Sequence, residues 1–254
     1  MVVFPNAKIN IGLHIVEKRN DGFHNLESIF YPVFSLYDVL EVVKTSGNEL
    51  EFTSSGIDIP GGATNNLCVQ AYSLLKKDFN LPFVKIHLHK VIPIGAGLGG
   101  GSADAAFMLK VLNELFGLEL SDNELINYAR QLGSDCAFFI KNEPAYAYHK
   151  GDELESIDLD LSAYDIKVDY PNIHIGTAEA YAGVTPKSST INLKEVIQQP
   201  IANWKEKIKN DFENSIFPNH PEIARLKEKM YVNGALYASM TGSGSAVYGV
   251  FKKQ

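Results

Sequence analysis

The stretch Pro93-Ile94-Gly95-Ala96-Gly97-Leu98-Gly99-Gly100-Gly101-Ser102-Ala103-Asp104-Ala105-Ala106 decides how the rest of the chain is read. Five glycines fall within seven residues, 95 to 101, and open straight into a helical pattern. Residues without a Cβ let several backbone N–H groups turn toward one point and let an anion come close. The helix that follows adds unpaired N–H groups and the positive end of its dipole. A turn that only bends the chain needs one or two glycines. The stretch is therefore read as a phosphate grip that needs no side-chain charge.

Other glycine loops are excluded by what surrounds this one. Gly95-x-Gly97-x-x-Gly100 satisfies the dinucleotide fingerprint, but that reading requires a strand after the helix and an acidic residue about 20 positions on. Here the helix carries Ala105, Met108, Leu109, Leu112 and Phe116 at helical spacing and stops at Gly117. Ser121 and Glu124 then form a capping box that opens a second helix through Leu125, Ala129 and Leu132 to Gly133. No lysine precedes Ser102, which removes the Walker pattern, and the protein-kinase glycine loop lies between two strands.

The bulk composition narrows the partners. With 254 residues, 45% hydrophobic, the chain can bury a large core. A net charge of -7 argues against a nucleic-acid surface, so an anionic ligand must be held locally. Two cysteines, Cys68 and Cys136, make neither a disulfide framework nor a metal set. The first residues do not form a leader pattern and no run of about 18 apolar residues occurs, so a cytoplasmic protein without membrane contact is expected.

Around the loop, Lys8 to Ile15 alternates strictly. Ile9, Ile11, Leu13 and Ile15 share one face; Lys8, Asn10, Gly12 and His14 share the other. On the strand pattern alone a solvated polar face is favoured; beside the glycine loop, Lys8 and Asn10 become candidates for a polar site. Arg19 to His24 is a turn centred on Asp21-Gly22, with a second strand from Glu27 to Val33 and with Phe23 and His24 just past the tip. Val39 to Val43 and Leu50 to Phe52 are expected to continue a meander. Thr64 is the expected N-cap of a helix carrying Leu67, Ala71, Leu74 and Leu75, with Asn65 and Asn66 in its first turn. Val84, Ile86 and Leu88 mark a strand ending at Lys90, which is either a solvated strand-end charge or a second cation near the phosphates. Asp135, in Ser134-Asp135-Cys136-Ala137, either caps the next element or accepts a proton from a substrate hydroxyl. Lys150 to Glu153 is read as the domain crossing, and Pro221 opens a late helix.

Pro5-x-Ala7-Lys8-Ile9-Asn10, Asp21-Gly22-Phe23-His24, Asn66-Leu67, the loop itself, Gly133-Ser134-Asp135 and Thr241-Gly242-Ser243-Gly244-Ser245-Ala246-Val247, in this order, resemble the GHMP small-molecule kinases. The resemblance covers essentially the whole chain. Lys8 and Asn10 with Asp-Gly-Phe-His resemble the branch that takes a cytidine-diphosphate-linked small molecule in the non-mevalonate route to isoprenoid precursors. The resemblance implies an α/β fold of α+β type in two domains, 1–150 binding ATP and 151–254 C-terminal, with the active site in the cleft between them. It implies transfer of the ATP γ-phosphoryl group, with Mg²⁺, to a substrate hydroxyl. Lys8 and Asp135 would then be catalytic. ATP would be held by Asn66, Leu67, Lys90, Pro93, Ile94, Gly95, Ala96, Gly97, Leu98, Gly99, Gly100, Gly101, Ser102 and Ala103. The substrate would meet Asn10, Phe23, His24, Thr177 and Tyr181, and no residue is assigned to the metal. Two positions depart from the family: Ala137 stands where Pro is frequent, and Asp104 where some members have Asn. A carboxylate near polyphosphate is unfavourable unless it faces metal or solvent. The rival readings are a sibling kinase with another alcohol acceptor and a nucleotide-binding regulator without catalysis.

Overall fold

The computed structural model describes residues 1–189 and 191–253. In chain order its strands and helices are Val2–Val3 (β1), Asn6–Lys18 (β2), His24–Tyr37 (β3), Val39–Lys44 (β4), Glu51–Gly56 (β5), Leu67–Phe79 (α1), Val84–Lys90 (β6), Gly100–Phe116 (α2), Asp122–Leu132 (α3) and Phe138–Lys141 (α4). Ala145–Tyr148 (β7), Glu153–Ser156 (β8), Tyr164–Asp169 (β9), Thr177–Ala182 (α5), Leu193–Val196 (α6), Trp204–Lys207 (α7), Phe212–Ile216 (α8), Pro221–Val232 (α9), Tyr237–Met240 (β10) and Val247–Lys252 (β11) complete it. Two compact units interleave along the chain. The first holds Met1–Ala7, Val33–Ile94 and Gly99–Glu143; the second holds Lys8–Pro32, Gly95–Leu98 and Pro144–Gln254. Among the described residues, no helix is long and apolar enough to cross a membrane.

In the first unit, Leu40 and Val42 on β4 and Val84, Ile86 and Leu88 on β6 point inward, at most 2% exposed, while Glu41, Lys85 and His87 alternate outward. The sheet order is β1-β4-β6-β5, and β5 runs parallel to β6, from Glu51 opposite Lys85 to Gly56 opposite Lys90. The expected meander therefore fails at β5. The intervening helix α1 carries an apolar face of Cys68, Ala71, Tyr72 and Leu75 that must be covered, and a strand–helix–strand crossover covers it while imposing parallel pairing. The cap of α1 also moves. Ala63–Asn65 closes a short 3₁₀ turn first, and Asn66 caps the helix by accepting the Cys68 N–H at 2.8 Å. Helix α2 buries Ala105, Met108, Leu109 and Leu112 completely and ends, as its sequence requires, at a left-handed Gly117 with φ 60°. The Ser121–Glu124 capping box of α3 is formed.

The second unit contains sheets of order β2-β3-β7-β8 and β10-β11-β9. Ile9, Ile11, Leu13 and Ile15 lie in the core as expected, but the polar face of β2 is not solvated: Lys8 is 3%, Asn10 2% and His14 8% exposed. The outer edge of β2 is covered by later chain. Leu13 donates its N–H to the Lys209 carbonyl and accepts from Asp211, each at 2.9 Å, and the Ile15 carbonyl accepts from Lys187 at 2.9 Å. The core gathers Leu13, Ile15, Phe212, Ile216, Ile223, Met240 and Val247. Trp204, the single tryptophan of the sequence, is 1% exposed, with Tyr237 edge-on at 5.6 Å and its indole N–H donated to the Gln199 carbonyl.

Candidate functional site

Two residues apart on one strand, Lys8 and Asn10 project to the same side of β2. The Lys8 ammonium donates to Asn10 Oδ1 at 2.5 Å and stands 4.4 Å from the centre of the Phe30 ring. The Asn10 amide is fixed in turn, its Nδ2 donating to Ser28 Oγ at 2.9 Å and Ser28 Oγ donating to the Gly12 carbonyl at 2.6 Å. The Asn10 backbone N–H donates to Thr241 Oγ1 at 3.0 Å, and that hydroxyl faces the Gly97 carbonyl at 3.1 Å and Asn10 Oδ1 at 3.3 Å. Lys8 N–H donates to the Leu98 carbonyl at 2.9 Å, and Ala246 N–H to the Ala96 carbonyl at 3.2 Å. Residues 95–98 are thus stitched to the strand bearing the ammonium and to the turn after β10. Gly97 requires its lack of a side chain: φ is +78°, and a Cβ would lie 2.0 Å from the Thr241 carbonyl oxygen.

A second cluster in the same unit is aromatic. The turn after β2 closes through Arg19 N–H to the Phe23 carbonyl at 2.8 Å and Phe23 N–H to Asp21 Oδ1 at 3.1 Å. It leaves Phe23 60% exposed, with the Lys150 ammonium 5.3 Å from its ring centre. His24 stacks on Tyr181 at 4.5 Å and 22°, and Tyr181 meets Phe212 edge-on at 4.9 Å. Burial, assisted by the Lys18 charge, holds the His24 imidazole below the ordinary histidine range. A neutral ring presents one donor and one acceptor. Thr177 is exposed at the start of α5, four residues before Tyr181.

The first unit holds other residues singled out in the sequence. Gly99, with φ +72°, precedes α2 without any side-chain cap, so the anion-attracting end of that helix is left open. Together with Gly95 at +68° and Gly97 at +78°, alternate glycines of the loop are left-handed. A Cβ on Gly101 would find Leu67 Cδ1 nearest, at 3.8 Å, which places the Asn66-Leu67 pair beside the start of α2. Asp135 is half-buried in the turn between α3 and α4. The N-cap of α4 is Ala137, with no side-chain cap, so Asp135 is not its capping residue.

Lys90 is only 3% exposed, which rules out the solvated strand-end reading. Its ammonium donates to Asp38 Oδ2 at 2.5 Å and Asp104 Oδ2 at 2.7 Å. Asp104 therefore faces a buried lysine rather than solvent. The sequence reading missed Asp38 and the role of Thr241. Asp38 gave no signal, lying between two strands with the partners of its carboxylate 52 and more residues away. Thr241 opens the Thr241-to-Val247 motif, but nothing local in the sequence shows what its hydroxyl touches.

Comparison with known proteins shows the same architecture. The GHMP kinases N-terminal domain matches residues 66–143 and the GHMP kinases C-terminal domain residues 192–254. The chain is 51% identical to a 4-diphosphocytidyl-2-C-methyl-D-erythritol kinase of Azobacteroides pseudotrichonymphae, over all of this chain and 94% of that one. It is 50% identical to the protein of the same name from Bacteroides thetaiotaomicron, over all of this chain and 93% of that one. A crystal structure of 4-(cytidine 5'-diphospho)-2C-methyl-D-erythritol kinase superposes with TM-score 0.85 at 33% identity, over 98% of this chain and 90% of the other. A homoserine kinase from Cytophaga hutchinsonii, at 15% identity and TM-score 0.71 over 98% of this chain and 85% of that one, shares the fold.

Proposed function

The chain belongs to the GHMP kinases, and from that membership we propose that it transfers the γ-phosphoryl group of ATP to a hydroxyl of 4-diphosphocytidyl-2-C-methyl-D-erythritol, giving the 2-phosphate and ADP. The observation that carries this reading is Thr241, whose hydroxyl ties Asn10, the partner of the Lys8 ammonium, to Gly97 of the glycine loop. One hydrogen-bonded frame thereby holds a cation and part of a phosphate-binding backbone in fixed relation.

The residues suit the nucleotide. Left-handed glycines and an uncapped helix start offer backbone N–H groups to an anion, and the loop from Pro93 to Ala103 wraps the phosphates. Asn66 and Leu67 line the adenine side. When bound, MgATP supplies the phosphoryl group and the metal neutralises its developing charge.

In the transfer, the acceptor O–H bond breaks with its proton passing to Asp135. The oxygen bonds to the γ-phosphorus as the bond to the β-phosphate oxygen breaks and ADP leaves. Lys8, steadied by Asn10, places positive charge on the oxygens of the moving group. Asn10 orients the acceptor end of the substrate. Phe23, His24 and Tyr181 hold the cytosine, the neutral imidazole both donating to and accepting from a base edge, with Thr177 beside Tyr181. In chain order, residues 1–150 carry the nucleotide and catalytic groups, and 151–254 add Thr177 and Tyr181. Mass spectrometry of the cytidine substrate after incubation with MgATP tests the proposal: one added phosphoryl group with an equal amount of ADP is expected, and unmodified substrate would refute it.

A further inference from the structure

Three charged side chains lie inside the first unit beneath the start of α2: Asp38 is 0%, Lys90 3% and Asp104 3% exposed. They come from three elements: Asp38 joins β3 to β4, Lys90 ends β6, and Asp104 lies in the opening turns of α2. Lys90 bonds to one oxygen of each carboxylate. The other oxygen of Asp38 accepts the N–H groups of Val91 at 2.6 Å and Ile92 at 2.8 Å, the two residues that lead the chain from β6 into Pro93. At the far side of the loop, a Cβ on Gly100 would come within 2.9 Å of the Lys90 ammonium and 2.8 Å of Ile92 Cγ2, so the first residue of α2 rests directly on the triad. Burying such charges is rarely repaid in stability, and apolar side chains of similar size fill a core as well. Asp104 Oδ1 has no hydrogen-bond partner among the described residues. The arrangement serves geometry better than it serves the core.

We propose that Asp38, Lys90 and Asp104 are positioning residues for ATP, clamping the entry and exit of the glycine loop so that nucleotide affinity depends on a triad that does not itself touch the nucleotide. This rests on the kinase reading above. It also refines the expected contact of Lys90 with ATP into an action through the loop backbone.

The charge balance gives the clamp a signature. The groups facing Asp104 are Lys90 from β6, Asp38 from the β3–β4 junction and Cys68 from α1, whose thiol burial keeps protonated. Burial, opposed by the Lys90 charge, pushes the Asp104 carboxyl up to about 7. Below that pH the triad is neutral; above it two carboxylates face one ammonium, and the surplus negative charge lies under a phosphate site.

The test measures KM for ATP and for the cytidine substrate, kcat and thermal midpoint, from pH 6 to 8, in the wild type, Asp104→Asn, Lys90→Met and Lys90→Arg. Lys90→Met should raise KM for ATP by about tenfold or more and lower kcat, leaving KM for the cytidine substrate within about twofold, with partial recovery in Lys90→Arg. Wild-type KM for ATP should rise with pH more steeply than that of Asp104→Asn; the nucleotide's own titration is common to both and cancels in the comparison. A folded Lys90→Met with unchanged KM for ATP overturns the proposal. Should Lys90→Met not fold, parallel pH profiles for wild type and Asp104→Asn overturn it equally. If the wild type phosphorylates nothing, the kinase reading fails by itself, and equilibrium binding of MgATP across the same pH range and variants decides the clamp.

Discussion

Replacing Gly97 by Ala should separate loop geometry from backbone strain. The new Cβ would start 2.0 Å from the Thr241 carbonyl oxygen, where Cβ contacts under 3.0 Å are essentially never seen, so the loop and the Thr241 strand end must part by about 1 Å. The partner is backbone, not a side chain that can swing away. Thr241 also receives the Asn10 N–H at 3.0 Å and faces the Gly97 carbonyl at 3.1 Å, so the displacement reaches the strand that carries Lys8. A misplacement of about 1 Å near a reacting group costs roughly 10²-fold in rate. The left-handed φ of +78° adds about 1–2 kcal/mol for a residue with a Cβ, or a fall of roughly 2–8 °C in thermal midpoint for a chain of this size. Gly117→Ala is the control. Its φ is +60°, nothing lies within 4 Å of its Cβ, and it incurs the same strain without the collision. Coupled ADP assays and thermal melts on both variants should show the fall due to strain alone in Gly117→Ala, and in Gly97→Ala a further fall from the collision together with about 100-fold lower kcat/KM for ATP. Activity in Gly97→Ala within about threefold of wild type, or an equal loss in Gly117→Ala, would refute the reasoning.

Asp135→Asn should lower kcat by roughly 10²–10⁴ while MgATP affinity, measured by titration calorimetry, stays within about threefold; parallel loss of binding would make Asp135 structural. His24→Ala should raise KM for the cytidine substrate by about tenfold and leave KM for ATP unchanged, as removal of a stacked ring predicts. Stability should also report on Asp104. Its carboxyl titrates near about 7 in the folded chain against an ordinary 3.8, so between these values the folded state holds the extra proton. That contribution is complete below about pH 4 and is lost as pH rises through about 7, a decline on the order of a few kcal/mol that Asp104→Asn should abolish. Urea unfolding midpoints at pH 5 and 8 check this, and an identical pH dependence in the two proteins would contradict it.

Local rules carried the sequence reading a long way where neighbours in sequence are neighbours in space. The stripe of α2, the Gly117 stop, the Ser121–Glu124 box and Pro221 at the start of α9 all depend on residues three or four apart, and all formed as read. The alternation of β2 was equally legible, but the burial of both its faces was not, because the strand is covered by residues 187 and 209–211, far along the chain. Parallel pairing of β5 with β6 likewise depends on what α1 has to cover, which strand propensity does not encode. At the candidate site, the glycine loop and the Lys8–Asn10 pair were visible as types in a pattern. The burial of Lys90 was invisible because its counter-charges lie 14 and 52 residues away. The contact of His24 with Tyr181 joins two residues that no periodicity connects.

Having one indole in the whole sequence, sealed against Tyr237 in the second unit, equips the protein with an optical gauge of that unit alone. Emission from Trp204 will red-shift when the second unit opens and stay silent when only the first does, whereas far-ultraviolet ellipticity sums the helices of both. Denaturation curves from the two signals that overlay mean the units melt as one cooperative body, and curves that part measure how independently each stands.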